Sequence, residues 1–323
     1  MRILAITTDP DPHVEMVKAQ LPNNLDIVTF NPQDFPFQEE ITYEWKNDKL
    51  SINTKLFNNE EIVSVWYRKP TLLAPDQLPV SVEYTNITYS AYKQSIQWLY
   101  STMSNKLWVS DYWAIRRASS KPYQMEIANR LGMKVPDTLI TTSKENAQEF
   151  LSAHQDIVVK PLNIGFITQR GVTKASYATR IDTGNHELDF SGLCVSPTIF
   201  QKTKVGLDVR VTVIGTDVYA CLINKADTIH SQTDWRVGFY HDALQFIEDK
   251  SFPKELSNMC VQMVKHLGLQ FGAIDFIFDE GDGHYWFLEI NPNGQWGFIE
   301  TSTQLPLSKS FANLLTRSLN VSI

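Results

Sequence analysis

Cysteine is scarce in this 323-residue chain, and no two cysteines lie at metal-binding spacing. The three present, Cys194, Cys221 and Cys260, are widely separated and odd in number. This usage argues against a disulfide framework and a zinc knuckle and favours a reducing compartment. No segment approaches the ~18 apolar residues that cross a bilayer, and the short apolar run near the N-terminus lacks a cleavage site. We therefore expect a cytoplasmic protein without a membrane partner.

Positive charge is also in short supply, with 29 Lys and Arg against 36 Asp and Glu, a net charge of −7. A nucleic-acid-binding surface needs a basic field, so we expect no nucleic-acid partner. A local basic groove for phosphates remains compatible with this balance. Because 43% of residues are hydrophobic and 20% charged, the composition is that of a globular protein rather than a disordered one.

Two nucleotide-binding motifs are missing as well. The chain has no GxxxxGK[ST], which excludes a P-loop, and no GxGxxG follows its first apolar run. What is present is an alternation of strand and helix patterns, beginning with strands at 3–7 and 25–30 around a helix. This order predicts an α/β class, with α+β elements further along the chain.

The length predicts more than one packed unit. We expect an N-terminal α/β domain over residues 1–105, containing a strand at 62–67 and an amphipathic helix between Tyr89 and Met103. A central domain over 106–197 follows; its segment 161–175 has the glycines and polar residues of a mobile lid loop. Strand patterns dominate the C-terminal domain over 198–323.

The richest segment for chemistry is residues 271–294. Its two apolar strands flank an Asp- and Gly-rich turn, which predicts a hairpin. If Asp275 pairs with Glu289, their Cβ atoms lie roughly 5 Å apart, and Asn291 shares the face of Glu289. Oxygen ligands of this kind suit magnesium. The alternative is a structural network of these carboxylates with Arg or Lys; the apolar strands and the Asn-Pro-Asn-Gly turn after them favour the metal.

Cationic candidates for phosphate binding lie elsewhere in the chain. Lys160 ends a β-branched strand and leads into the glycine-bearing segment, where loop amides and a cation can hold phosphates. Lys121 begins a predicted helix, although a solvated lysine is the usual alternative. Arg210 and Arg236 offer guanidinium groups for bidentate contact to phosphate. An ion pair of Arg210 with Asp208 or another carboxylate is an equal alternative.

Together these motifs resemble the ATP-grasp superfamily, which includes glutathione synthetase and the ligases that add glutamate to a ribosomal protein. The motifs are Lys121 at a helix start, Val-Val-Lys160, Phe-Gln201-Lys-Thr, Asp208-Val-Arg210, Asp-Trp-Arg236, Gly-Ala-Ile-Asp275 and Leu-Glu289-Ile-Asn291-Pro. With Val65-Trp-Tyr-Arg68 and Ala118-Ser-Ser-Lys121, the whole chain resembles the microviridin-type graspetide synthetases. Those enzymes close ω-ester or ω-amide rings in ribosomally made precursor peptides.

This resemblance implies an ATP-grasp fold behind a pre-ATP-grasp α/β domain, ATP and Mg²⁺ as cofactors, a precursor peptide (leader plus core) as partner, and a homodimer. It also implies roles for individual residues. The ATP phosphates would be contacted by Lys121 and Lys160, the adenine by a hinge of Gln201, Lys202 and Thr203, and the ribose by Asp208. Two magnesium ions would be bound by Asp275, Glu289 and Asn291. The acyl phosphate and the transferring phosphoryl group would be stabilised by Arg210 and Arg236. Related hinges often carry Glu where this chain has Lys202, and a lysine side chain cannot accept a hydrogen bond from the adenine amino group.

Three other function classes are compatible with parts of this pattern. An ATP-grasp ligase could join an amino acid to a peptide or small-molecule carboxylate. A regulatory protein could keep the fold without catalysis, although the intact acidic and arginine motifs argue against it. A phosphotransferase would leave phosphate on its product instead of eliminating water.

Overall fold

The N-terminal sheet is parallel, with strand order β2-β1-β5-β6. Residues Ile3 to Ile6 of β1 are all buried, because both faces of a parallel sheet are covered. The expected strands and the helix at Tyr89–Met103 are confirmed, whereas a hairpin, β3–β4, had no prediction; Asn47 and Asp48 take positive φ at its turn. The elements are β1 (Arg2–Ile6), α1 (Pro12–Lys18), β2 (Asp26–Phe30), β3 (Ile41–Lys46), β4 (Lys49–Thr54), β5 (Ile62–Tyr67), α2 (Thr85–Thr102) and β6 (Leu107–Val109).

The computed structural model describes residues 1–162, 165–169, 172–176, 178–182, 188–225, 235–238 and 244–319. Its second sheet has strand order β11-β8-β12-β7, and β9 and β10 form a separate antiparallel pair. The elements of this part are α3 (Tyr112–Ala118), α4 (Lys121–Arg130), β7 (Thr138–Thr141), α5 (Lys144–Ala153), β8 (Asp156–Pro161), β9 (Gly165–Gln169), β10 (Val172–Ser176), β11 (Thr179–Asp182) and β12 (Thr198–Lys202).

Two expectations for this part differ from the structure. Within the segment 161–175, which was expected to be a loop, the described residues Gly165–Gln169 and Val172–Ser176 are strands that pair in register, because β-branched residues favour strands. The expected division after residue 197 would separate β12 from β7 and β8, to which it is hydrogen-bonded. We propose a division after Lys202 instead, since it keeps that sheet whole.

The third sheet is antiparallel, with order β15-β14-β13-β16-β17. Helix α7 begins after Pro253 and ends before Gly268, which takes a φ of +74°. The elements are β13 (Leu207–Ile214), β14 (Asp217–Lys225), α6 (Trp235–Gly238), β15 (Leu244–Glu248), α7 (Lys254–His266), β16 (Phe271–Asp279), β17 (His284–Asn291), α8 (Gly297–Thr303) and α9 (Leu307–Thr316).

An aromatic contact joins the N-terminal sheet to the last helices. The ring of Phe311 on α9 lies 5.2 Å from that of Trp66 on β5 and 4.9 Å from that of Trp296. All three side chains are almost fully buried, and aromatic burial of this extent contributes strongly to a domain contact. The contact brings the end of β5 next to the turn that follows β17.

Candidate active site

The two acidic residues lie opposite each other on the β16–β17 hairpin. Asp275 pairs with Glu289 and Ala273 pairs with Asn291, so the hairpin expected from the sequence is present, with the pairing that the magnesium interpretation required. Asp275 is 9% exposed, and the Glu289 side chain is 24% exposed. The Asp275 carboxylate is therefore buried in the sheet, and the Glu289 carboxylate is partly buried.

Arg210 neutralises Asp275. The two residues pair across β13 and β16, and Arg210 Nη1 donates to Asp275 Oδ1 at 2.8 Å and Oδ2 at 2.9 Å. Burial raises the pKa of Asp275, and the charge of Arg210 opposes that shift. A buried carboxylate is tolerated here because it is paired and hydrogen-bonded.

Glu289 is held between two cations from different parts of the chain. Lys121, the first residue of α4, forms an ion pair with Glu289 Oε2, and Arg236 Nη1 lies 3.6 Å from Oε1. Burial opposes ionisation of Glu289, but Lys121 and Arg236 outweigh it and lower its pKa to about 2. Glu289 is therefore a carboxylate at neutral pH.

A cleft of about 260 Å³ lies between the second sheet and β17. Lys160 on β8 and Gln201 on β12 face it, and Lys160 Nζ donates to Gln201 Oε1 at 2.7 Å. Gln201 Nε2 in turn donates to Thr138 Oγ1 at 3.0 Å. The predicted site residues that line this cleft are Lys121, Lys160, Gln201, Arg236, Glu289 and Asn291.

The donor set fits magnesium but not a softer metal. Asp275, Glu289 and Asn291 supply two carboxylates and one amide oxygen, the hard ligands that Mg²⁺ shares with substrate phosphates. Within the described residues there is no cluster of three or more His, Cys, Asp or Glu side chains. The ion pairs of Asp275 and Glu289 with cationic side chains are those that the structural alternative predicted. The cleft beside Glu289 adds a place for phosphates.

A match to a known protein family identifies the domain that contains this cleft. The RimK-like ATP-grasp domain matches residues 118–315. The chain belongs to the RimK-like ATP-grasp family. No curated protein sequence matches it. Within the part of the chain that the structure describes, no helix is long and apolar enough to cross a membrane.

Solved structures share the ATP-grasp fold over the whole length of the chain. A RiPP-associated ATP-grasp ligase from Chryseobacterium gregarium, in complex with ADP, a leader and a core peptide, has a TM-score of 0.90 at 24% identity, covering 98% of this chain and 97% of that one. The macrocyclase MdnC from Microcystis aeruginosa, bound with precursor peptide MdnA, has a TM-score of 0.80 at 23% identity, and the match covers 98% of this chain and 100% of that one. The ATP-grasp ligase PsnB, complexed with a phosphomimetic variant of its minimal precursor, Mg and ADP, has a TM-score of 0.78 at 19% identity, and the match covers 98% of each chain.

Not every residue predicted for the ATP-grasp nucleotide site lies in the cleft. Lys202 is exposed, and its backbone N–H donates to the Asp137 carbonyl at 2.9 Å. Thr203 donates its N–H to the Asp156 carbonyl and its hydroxyl to Asp156 Oδ1, at 3.1 and 2.9 Å. These donors are therefore engaged within the protein and do not point to an adenine hinge.

Asp208, predicted to hold the ribose, is buried and forms an ion pair with Lys225. It lies on β13 opposite Ile277 and Ile223. The residues that line the cleft do not include Asp208, Arg210 or Asp275. Asp275 is nevertheless the neighbour of Glu289 across the hairpin, and Arg210 contacts Asp275.

An N-terminal cluster supports the Asn-Pro-Asn-Gly turn, and sequence reasoning assigned it no role. Arg68 is 3% exposed; its Nη1 donates to the Asn293 carbonyl at 3.0 Å, and its Nε lies 3.6 Å from Asp11 Oδ2. His13 Nε2 accepts from the Gly297 N–H at 3.1 Å, and its Nδ1 lies 3.0 Å from Asp11. Burial lowers the pKa of His13, which suits a neutral imidazole in this arrangement.

Two further residues fix the geometry of the site. Gln124 on α4 makes two hydrogen bonds with the backbone of Ile290. Its Nε2 donates to the Ile290 carbonyl at 2.9 Å, and its Oε1 accepts from the Ile290 N–H at 3.1 Å. At Gly294, a Cβ atom would lie 2.4 Å from Arg210 Nη2 and 2.4 Å from Ala273 Cβ. In the sequence, only Gly294, two residues after Pro292, indicates this close approach. No sequence pattern indicates the contact of Gln124 with Ile290.

Proposed function

We propose that the protein is an ATP-dependent carboxylate ligase that closes ω-ester or ω-amide rings in a ribosomally made precursor peptide. The observation that carries this proposal is the placement of Lys121, Lys160 and Arg236 around Glu289 in one cleft. The similarity of the whole chain to ligases solved with precursor peptides supports the peptide as substrate. ATP and Mg²⁺ are the cofactors that this family and donor set imply.

The reaction needs an activated carboxylate, because a carboxylate is a poor electrophile. An oxygen of an Asp or Glu side chain of the peptide attacks the γ-phosphorus of ATP, and ADP leaves. A Thr or Ser hydroxyl, or a Lys amine, of the same peptide then attacks the acyl phosphate. Inorganic phosphate leaves with one of the carboxylate oxygens, and the nucleophile loses its proton. Each ring therefore removes one water from the peptide overall.

The chain's own cations fit the charge that this reaction handles. Lys121 and Lys160 are placed to hold phosphates at the cleft, and Mg²⁺, when bound, neutralises the transferring phosphoryl group. We assign Arg236 to the transferring group because it lines the cleft beside Glu289. We assign the acyl phosphate oxygens to Arg210, which Asp275 holds in one orientation. The hinge roles of Lys202 and Thr203 and the ribose role of Asp208 stay predictions.

Mass spectrometry of the peptide product tests this function. The protein is incubated with ATP, Mg²⁺ and the short precursor peptide encoded next to its gene. Loss of one water mass per ring supports macrocyclisation, whereas a gain of phosphate mass identifies a phosphotransferase. ATP turnover with free amino acids and no peptide identifies the alternative, a ligase of small molecules. A peptide with its Asp and Glu side chains changed to Asn and Gln is the matched control and is expected to stay unmodified.

We also propose that the protein is a cytoplasmic homodimer. The proposal rests on the resemblance of the chain to the peptide maturases. Sedimentation equilibrium gives the mass in solution: a value near twice 37.0 kDa agrees with a dimer, and a value near 37.0 kDa contradicts it.

A further inference from the structure

Asn293 connects the predicted metal ligand Asn291 to the N-terminal domain. Its backbone N–H donates to Asn291 Oδ1 at 3.0 Å, and its carbonyl accepts from Arg68 Nη1 at 3.0 Å. The amide oxygen of Asn291 is therefore held by Asn293, and Asn293 is held by Arg68. Because an amide oxygen has two lone pairs, the bond from Asn293 leaves one of them for a magnesium ion.

The guanidinium of Arg68 has contacts at each of its three nitrogens. Besides the bond from Nη1 to the Asn293 carbonyl, Nη2 lies 3.2 Å from His13 Nδ1 and Nε lies 3.6 Å from Asp11 Oδ2. Asp11 also contacts His13, with 3.0 Å between Oδ1 and Nδ1. A planar guanidinium in contact on every side has one orientation, so Nη1 stays directed at the Asn293 carbonyl.

The same cluster also holds the chain just beyond the Asn-Pro-Asn-Gly turn. His13 Nε2 accepts from the Trp296 N–H at 3.3 Å and from the Gly297 N–H at 3.1 Å. The rings of His13 and Trp296 lie 4.9 Å apart, edge to face. The segment that follows β17 is therefore fixed by the N-terminal domain at two places, Asn293 and the start of α8.

The domain contact by itself does not call for an arginine at this position. The buried rings of Trp66, Trp296 and Phe311 already join the two parts of the chain. Arg68 is 3% exposed, and replacing a buried ion pair with apolar side chains is often neutral or stabilising. What the guanidinium adds is a hydrogen bond to one backbone carbonyl, and hydrogen bonds behind a metal ligand orient that ligand.

We propose that Arg68 is a positioning residue, which orients Asn291 toward magnesium through the backbone of Asn293. This inference rests on the proposed function, in which Asn291 binds the magnesium of the nucleotide. Arg68 does not line the cleft, whereas Asn291 does. The N-terminal domain thus contributes to metal affinity through one peptide unit of the turn.

Binding of a non-hydrolysable ATP analogue, measured by calorimetry with and without Mg²⁺, tests Arg68. We expect Arg68→Met to raise the Kd in the presence of Mg²⁺ by about 10- to 100-fold, the range for losing a residue that orients a metal ligand. The Kd without Mg²⁺ should stay unchanged. Arg2→Met is the matched control, because Arg2 on β1 also donates to a backbone carbonyl, that of Leu56 at 2.6 Å; it should keep both values.

Asp11→Asn separates positioning from stability. This variant weakens the cluster but keeps the bond from Arg68 to the Asn293 carbonyl. It should therefore unfold at lower denaturant concentration than wild type and still bind the analogue with wild-type affinity in the presence of Mg²⁺. An equal loss of affinity in Asp11→Asn and Arg68→Met overturns the inference, because lower stability then explains both.

Three further results bear on the inference. An unchanged Kd of Arg68→Met with Mg²⁺, or a loss that is equal with and without Mg²⁺, overturns it. If Arg68→Met does not fold, Arg68→Lys replaces it: a lysine keeps the charge beside Asp11, but one ammonium cannot make the contacts of the planar fork. The Kd with Mg²⁺ should then still rise, and an unchanged value overturns the inference.

Failure of the proposed function gives a different pattern. If wild type closes no rings but Arg68→Met loses only the magnesium-dependent affinity, the proposed function fails and the role of Arg68 stands. If wild type closes rings and Arg68→Met binds the analogue as wild type does, the role of Arg68 fails alone. Wild-type binding that does not depend on Mg²⁺ contradicts both.

Discussion

Lys121 on α4 forms an ion pair with Glu289 on β17, 168 residues further along the chain. The first is a predicted phosphate ligand and the second a predicted metal ligand. Their contact joins the beginning of the ATP-grasp domain to its acidic hairpin, and Gln124 holds the same helix to Ile290. Because Lys121 and Mg²⁺ both favour the ionised carboxylate of Glu289, nucleotide and metal binding are expected to depend on each other.

Glu289→Gln tests that dependence. We expect this change to abolish magnesium-dependent binding of ATP, because the amide removes a metal ligand and leaves Lys121 and Arg236 without their carboxylate. Calorimetry with ATP, with and without Mg²⁺, measures the effect. Glu280→Gln, in the exposed turn between β16 and β17, is the control. An unchanged affinity for ATP in the presence of magnesium contradicts the assignment of Glu289.

Arg236→Ala tests the charge on the transferring group. The variant is expected to lower turnover by at least ~10², the scale for removing one transition-state donor. An ADP-release assay at saturating ATP and peptide measures it. Arg130→Ala removes an exposed arginine that forms an ion pair with Glu126 on its own helix, and it should keep the wild-type rate. A near wild-type rate for Arg236→Ala removes that residue from the mechanism.

Gly294→Ala tests the close packing of the Asn-Pro-Asn-Gly turn on Arg210. The added methyl group meets Arg210 Nη2 and Ala273 Cβ at 2.4 Å, so one of them must move. We expect a loss of about 1–3 kcal/mol in the free energy of unfolding and a lower rate of ring closure. Gly192→Ala, whose Cβ has no neighbour within 4 Å, is the control. Equal stability and rate in the two variants would show that the turn tolerates the methyl group.

Asp11→Asn tests the N-terminal cluster through its pH dependence. Burial opposes ionisation of Asp11, but His13 and Arg68 lower its pKa from 3.8 to about 2. A carboxyl group whose pKa is lower in the folded than in the unfolded chain stabilises the fold at a pH above its unfolded pKa. This stabilisation is lost as the pH falls through its folded pKa. A shift of the pKa from 3.8 to about 2 corresponds to about 2 kcal/mol in the free energy of unfolding. In denaturant unfolding, the difference in the free energy of unfolding between wild type and Asp11→Asn should therefore shrink as the pH falls from about 4 to about 2. A gap that stays constant contradicts the ionised Asp11.

The acidic hairpin could be predicted because its signals are local. Strand periodicity places alternate residues on one face, so the hairpin itself followed from residues 271–291. The pairing of Asp275 with Glu289 could only be stated as a condition, because the register shifts by one residue between Asp275 and Phe276. For Arg210 the sequence offered only an ion pair with Asp208 or another carboxylate, and Asp275 could not be named as its partner, because that pair depends on how β13 lies beside β16.

Contacts between distant segments could not be predicted. The bonds of Arg68 to Asn293 and of Gln124 to Ile290 join residues 225 and 166 positions apart, and no periodicity reports such neighbours. The prediction of a loop at 161–175 was wrong for the described residues Gly165–Gln169 and Val172–Ser176, because β-branched residues beside the glycines favour strands. Of the hinge motif, Gln201 lines the cleft, whereas Thr203 takes Asp156 as its partner.

Transfer of a heavy oxygen isotope from the peptide tests the central claim, that a side-chain carboxylate is activated as an acyl phosphate. The precursor peptide is labelled in its Asp and Glu carboxylates and incubated with the protein, ATP and Mg²⁺, and the inorganic phosphate released is analysed by mass spectrometry. We predict one labelled oxygen in phosphate for each ring closed, because phosphate leaves with an oxygen of the carboxylate. Rings formed with unlabelled phosphate, or with the label in AMP, would contradict the account.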